Sequence, residues 1–131
     1  MGLGGTLTLV DSTIGEVNEW TFILGGALTT DVASVITGGT SESVNWVVTG
    51  AIALGASSTS IGSMASITGA ITVGAAAACD NIDAFAALPV GADATTGTIE
   101  ANGAITIGTG ATTGVCTGSC PLTCVPLVGC D

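Results

Sequence analysis

The sequence contains no Lys, Arg, His or Tyr, while Asp and Glu together number ten and give a formal net charge of -10. Proteins that bind nucleic acids or nucleotide phosphates need cationic side chains, so the composition excludes these ligands. The chain also lacks the usual general bases, Schiff-base amines and cations that stabilise oxyanions. We therefore predict that the protein is not an enzyme, has no catalytic residues and uses no cofactor.

Long apolar runs are also missing, although 47% of the residues are hydrophobic. Gly, Ser, Thr or Asp interrupts every apolar stretch before it reaches the roughly 18 residues that a membrane-spanning helix needs. The first residues show neither the positive charge nor the apolar segment of a signal peptide. The sequence therefore predicts no membrane span.

The cysteines are few and unevenly placed, at Cys79, Cys116, Cys120, Cys124 and Cys130. The spacing of the last four does not match the ligand pairs of zinc sites, and no His is present to complete one. Cysteine-dense segments are typical of oxidising compartments, so we predict disulfides, no metal site and an extracellular or cell-surface location. The odd number leaves one thiol free or paired with another chain, and the connectivity stays open.

A short unit with alternating apolar and small polar residues recurs along the chain, which is the pattern of a strand with one buried face. Clear copies occupy residues 49–55, 68–74 and 102–108, and weaker copies occupy 5–9 and 26–30. Their central residues, Leu7, Leu28, Ile52, Ile71 and Ile105, are 21, 24, 19 and 34 positions apart. Such short units must stack on one another to bury their apolar side. The pattern predicts a β-solenoid with three short strands per rung, and a β-sandwich is the alternative.

The step of 34 residues requires an insertion in this scheme. We expect residues 79–96 to form a loop with one or two helical turns, where Asp80 caps the helix and Pro89 ends it. The predicted division is a solenoid over 1–115, which contains this insertion, and a disulfide-rich tail over 116–131. Asp80 and Asp83 are interpreted as solvated loop carboxylates, with calcium binding as the less favoured alternative.

The outward positions of the repeated strands form the candidate functional surface. Because neighbouring strands lie about 4.8 Å apart, small outward residues at equivalent positions would form a flat, uncharged lattice. The candidate face consists of Thr6, Thr8, Ala27, Thr29, Ala51, Ala53, Ala70, Thr72, Ala104 and Thr106. Such a surface holds ordered water, although Thr and Ala also suit a strand that another element covers.

Two tryptophan-containing segments carry a family resemblance. The runs Trp20-Thr21-Phe22-Ile23 and Asn45-Trp46-Val47-Val48, followed by the Gly-Ala-Ile units, resemble the microbial ice-binding protein family over about residues 3–113. The resemblance implies a right-handed, discontinuous β-solenoid of roughly triangular cross-section, with a long helix along one side. Many members bind ice through a flat face, but that face varies in sequence, so no residue-level assignment carries over. Members are longer, and nothing in this chain resembles their long helix.

Two non-enzymatic functions are consistent with these observations. No cap is evident before the first strand, and open strand edges pair with other chains. We therefore expect end-to-end stacking of copies of this chain into an extracellular fibre. The alternative is an antifreeze protein that binds ice through the Thr/Ala face. A third interpretation is an adhesion or carbohydrate-binding module. It is disfavoured because the sequence has only two Trp, two Phe and no Tyr that could stack on sugars.

Overall fold

The computed structural model describes residues 1–10, 19–38 and 43–119, which form thirteen β-strands and no helix. The strands are β1 (Gly2–Leu3), β2 (Thr6–Thr8), β3 (Trp20–Leu24), β4 (Leu28–Thr30), β5 (Val35–Thr37), β6 (Val44–Val48), β7 (Ile52–Leu54), β8 (Ser63–Ser66), β9 (Ile71–Val73), β10 (Ile82–Ala84), β11 (Leu88–Val90), β12 (Ile99–Ile107) and β13 (Cys116–Ser119). No helix long and apolar enough to cross a bilayer occurs in these three stretches of chain.

The strands stack in parallel on three faces, and the chain visits the faces in the same order on each rung. Face A contains β1, β4, β7, β9, β11 and the end of β12. Face B starts with β2 and β5 and continues through single-residue bridges at Thr59, Ala78, Thr95 and Thr112. Face C contains β3, β6, β8, β10, the start of β12, and β13. The predicted all-β, solenoid-like fold is thus confirmed, and the described part of the chain forms six rungs.

The expected insertion over residues 79–96 is wrong, because this segment forms a complete rung. Strand β10 pairs with β8 and β12 on face C, and β11 pairs with β9 and β12 on face A. On face A, the residues that pair between successive rungs are Gly2 and Thr29, Thr29 and Ala53, Ala53 and Thr72, Val73 and Val90, and Pro89 and Thr106. In this order the two partners are 27, 24, 19, 17 and 17 positions apart in the sequence. The step of 34 residues is therefore two rungs of 17.

The early rungs are longer because more residues separate face B from face C. Eleven positions separate Val35 on face B from Trp46 on face C, but only four separate the equivalent residues Ala78 and Ile82. The other two corners keep nearly the same length from the second rung onward. Insertions at one corner leave the strands in register, so the stack stays regular although the rungs differ in length.

The interior is lined by inward columns of large apolar residues from faces A and C. One column on face A is Leu28, Ile52, Ile71, Leu88 and Ile105, all at most 6% exposed, and Leu54, Val73 and Val90 form part of a second. On face C the rings of Phe22 and Trp46 stack with their centroids 4.1 Å apart. The buried Trp46 indole donates a hydrogen bond from Nε1 to the Ile61 carbonyl oxygen at 3.0 Å. Each rung thus buries its apolar side against its neighbours, as stacking repeats require.

The corner between faces A and B repeats one tight turn on successive rungs. The third residue of the turn has a left-handed backbone, with φ between 56° and 58° at Ala33, Ser57, Ala76 and Asp93. The first residue of the turn is Gly from the third rung onward. A Cβ atom on Gly91 would lie 2.6 Å from the backbone nitrogen of Ala75 on the preceding rung. The backbones therefore approach too closely for any other residue at this position.

Candidate functional site

Face A carries the candidate site, and eight of the ten residues predicted for it lie there. Alternation along the strands turns two columns of residues outward, while Leu28, Ile52 and their equivalents turn inward. The central column is Thr29, Ala53, Thr72, Pro89 and Thr106, and the adjacent column is Ala27, Ala51, Ala70, Ala87 and Ala104. All ten side chains are exposed or half-buried.

Thr6 and Thr8 are the two residues wrongly placed on this face. They belong to β2, which pairs with β5 on face B, and the strand that pairs with β4 on face A is β1. The unit around Leu7 has the right alternation of residues, but it follows β1 by only a few positions and so reaches the next face. The pattern of alternation alone does not report which face a strand joins.

Ala87 and Pro89 are the face A residues that the sequence analysis missed. Pro89 lacks a backbone N–H, and the flanking ladder bonds from Ile71 to Ala87 and from Gly91 to Val73 remain, at 3.1 and 2.8 Å. The missing donor removes one bond of the ladder, which is why Pro is rare inside sheets. The rung is recognisable in the sequence only from its Gly residues, since Gly74, Gly91 and Gly108 recur every 17 positions.

The outward surface of face A is low and even because no strand residue in its two columns is larger than Thr or Pro. The threonines occur on alternate rungs, at Thr29, Thr72 and Thr106. Two rungs correspond to about 9.6 Å, twice the strand separation of about 4.8 Å. Each Thr presents a hydroxyl and a methyl group from a β-branched side chain with restricted rotation. The face therefore offers a regular array of hydrogen-bonding groups on an apolar background.

The outward strand positions of face A carry no charge. The carboxylates of the described residues are Glu19, Asp31, Asp80, Asp83, Asp93 and Glu100, and none of them occupies an outward strand position of face A. Asp31 lies at its margin, directly after β4. A neutral surface leaves water free to adopt the geometry of the hydroxyl array, whereas a carboxylate imposes its own hydration shell.

Face B has a threonine column of its own, which the sequence analysis did not assign to a separate surface. The column is Thr6, Val35, Thr59, Ala78, Thr95 and Thr112. Three of these threonines, Thr59, Thr95 and Thr112, follow the corner Gly by four positions, which is a signal that the sequence contained. Asp93 lies at the turn that leads into this face and is exposed. Face B thus presents an outward column that contains Thr, Val and Ala, and Asp93 lies at the corner that it shares with face A.

The cysteines divide into two classes. Cys79 is a free, buried thiol, so its inclusion among the disulfide candidates is wrong. Burial raises its pKa to about 12, with a smaller contribution in the same direction from the neighbouring Asp80 carboxylate. Cys116 is disulfide-bonded. The predictions for Cys120, Cys124 and Cys130 fall outside the described residues.

The described residues contain no group of three or more His, Cys, Asp or Glu side chains that could hold a metal ion. Comparisons with protein-family models, with curated proteins and with solved structures give no match to this chain. The geometry of its faces is therefore the basis on which a function can be inferred.

Proposed function

We propose that this protein is a non-enzymatic, extracellular β-solenoid that binds ice through face A. The observation that carries the proposal is the pair of outward columns that extend over five rungs without a carboxylate or a long side chain. Ice is a periodic surface of water molecules, and a rigid array of hydroxyl and methyl groups can hold waters in a matching repeat. The disulfide at Cys116 supports an oxidising, extracellular environment.

The rigidity of the array supports this function as much as its composition does. Each face A strand is hydrogen-bonded to its neighbours, and the inward residue beside each threonine is buried. Short side chains also lose little rotamer entropy when they bind a surface, in contrast with Lys or Glu. Binding to a solid therefore costs little ordering of the protein.

Thermal hysteresis of the purified protein tests the proposal. We expect Thr72→Lys to abolish hysteresis, because a long charged side chain in the centre of face A holds the protein away from the crystal. Thr95→Lys is the matched control, since Thr95 is also an exposed Thr, in the outward column of face B. Hysteresis that survives Thr72→Lys, or that is lost equally in both variants, would contradict the assignment of face A.

End-to-end assembly into a fibre is a second candidate, and the first rung provides the observation that favours it. Among the described residues, β1, β2 and β3 each pair on one side only. The inward side chains Leu3, Leu7 and Phe22 on this rung are half-buried, whereas their equivalents on inner rungs are buried. A second copy that added its own strands would cover these side chains. Negative-stain electron microscopy that shows only single particles under oxidising conditions would contradict this candidate.

A further inference from the structure

Face C carries a groove that the ice-binding proposal does not use. The groove has a volume of about 390 Å³ and crosses five rungs, from β6 to β13. Five rungs correspond to about 19 Å along the solenoid axis, at about 4.8 Å per strand. Its polar lining includes Asn45, Ser63, Asn81 and Thr98, and its apolar lining includes Val47.

Two carboxylates lie side by side in this groove. Asp83 on β10 is paired in register with Glu100 on β12, and both side chains are exposed. Like charges at directly opposed positions of neighbouring strands destabilise a sheet. The sequence contains no Lys, Arg or His that could offset this repulsion. No side chain of this protein can therefore neutralise the pair, and a cationic ligand would gain attraction from both carboxylates.

An apolar patch borders the acidic end of the groove. Ile67 and Phe85 follow the paired residues Ser66 and Ala84 on adjacent rungs, and they are 51% and 56% exposed. By the alternation of strand residues, Phe85 lies on the same side of the sheet as Asp83. Exposed apolar groups with a polar rim mark surfaces that bind other proteins. The apolar patch on the rungs of β8 and β10 therefore lies beside the carboxylates on the rungs of β10 and β12.

We propose that face C binds a cationic, amphipathic segment of another protein, whose apolar residues contact Ile67 and Phe85 and whose basic residues contact Asp83 and Glu100. A second copy of this chain is a less suitable occupant, because it has no cationic side chain to place beside the two carboxylates. The amide and hydroxyl groups of Asn45, Ser63 and Asn81 supply hydrogen bonds to the backbone of the bound segment.

A short labelled peptide is a direct probe of this site. A peptide of about six residues, with leucines in its first half and arginines in its second, spans about 20 Å when extended. We expect saturable binding in fluorescence anisotropy that weakens as the salt concentration increases, because exposed charges are screened. The same peptide with glutamate in place of arginine should not bind. Absence of saturable binding by the arginine peptide would overturn the proposal.

Two double variants locate the binding surface. The groove double variant, Asp83→Asn with Glu100→Gln, should raise the peptide Kd by about tenfold. The control double variant, Asp31→Asn with Asp93→Asn, removes two charges from outside the groove and should change the peptide Kd by less than about twofold. Equal weakening by the two double variants would show non-specific attraction to an acidic protein and would overturn the proposal. Circular dichroism melting curves verify that each variant is folded.

A neutral substitution in the groove tests whether peptide binding depends on the shape of the groove as well as on its charge. Ala65 lies between Val47 and Asp83 in the same outward column and is half-buried. Ala65→Phe fills the groove without changing the charge, so we expect it to weaken peptide binding about as much as the groove double variant. Unchanged binding would overturn the proposed site. A concentration-dependent dimer in analytical ultracentrifugation that is lost on Ala65→Phe would assign the groove to a second copy and would also overturn it.

Discussion

The rung formed by β10 and β11 makes the most direct prediction about the fold, since truncation of two residues in one segment should destabilise the protein by clearly different amounts. Leu88 is fully buried in the inward column of face A, and Phe85 is 56% exposed. In a loop with a short helix, Phe85 would instead be the residue that packs against the solenoid. Truncation of each side chain to Ala therefore distinguishes a rung from an insertion.

The expected magnitudes follow from burial. Leu88→Ala removes three buried carbons, worth about 2.4 kcal/mol at about 0.8 kcal/mol each, and the cavity that remains raises the loss of unfolding free energy to about 3 kcal/mol. Phe85 has less than half of its surface buried, so Phe85→Ala should cost about 1 kcal/mol. For a chain of this length, a difference of about 2 kcal/mol corresponds to a Tm difference of roughly 10 °C.

Urea denaturation followed by circular dichroism measures both free energies, and equal m-values in the two variants are required for the comparison. A greater loss of stability for Phe85→Ala than for Leu88→Ala would refute the rung. The Leu88 effect should be no smaller than that of Ile71→Val, because Ile71 occupies the equivalent position on the preceding rung and loses only one carbon.

Three further predictions concern the turns and the buried thiol. Gly91→Ala should lower the unfolding free energy by about 2–3 kcal/mol, because its Cβ would lie 2.6 Å from backbone, whereas Gly25→Ala, with no atom within 4 Å, should change it little. Ala76→Gly should leave the protein about 1 kcal/mol more stable than Ala75→Gly, since only Ala76 has a left-handed backbone, at φ 56°; equal urea midpoints would contradict this. Because burial raises the Cys79 pKa from 9.0 to about 12, the thiol contributes its full stability below pH 9 and loses it as pH rises toward 12. Urea midpoints between pH 8 and 11 should therefore fall more steeply for the wild type than for Cys79→Ser, and parallel curves would contradict the shift.

The repeated units predicted the solenoid because their constraints are local. Each Gly-Ala-Ile unit specifies a corner, a strand and an inward apolar residue. The inward residues of the recognised units form a single buried column, which contains Leu28, Ile52, Ile71 and Ile105. The same reasoning failed for Leu88. There Ala86 replaces the corner Gly and Pro89 replaces the outward Thr, so the local pattern favours a helix that ends at Pro. The adjacent strands β9 and β12 determine the conformation, and this influence is not visible in the segment itself.

The residues of the candidate site could be predicted only where the sequence also indicated which strands lie next to each other. Residues of face A in the recognised units were assigned correctly, but Thr6 and Thr8 were assigned to the wrong face because β1 is only two residues long. The groove on face C was missed because its lining residues come from five different rungs. Its acidic pair, Asp83 and Glu100, is separated by 17 positions, so their proximity follows only from the length of the rung.

The arrangement of the rungs explains how one small chain can carry two surfaces of different chemistry. Inward positions are constrained by stacking, whereas outward positions on each face are constrained only by strand geometry and solubility. Face A can therefore hold a neutral array while face C holds carboxylates and exposed apolar groups on the same rungs. Since the buried core separates the outward side chains of the two faces, substitutions on them should act independently. Thr72→Lys should therefore leave the peptide Kd unchanged, and Asp83→Asn with Glu100→Gln should leave thermal hysteresis unchanged. Coupling between the two activities would indicate that both ligands bind one face.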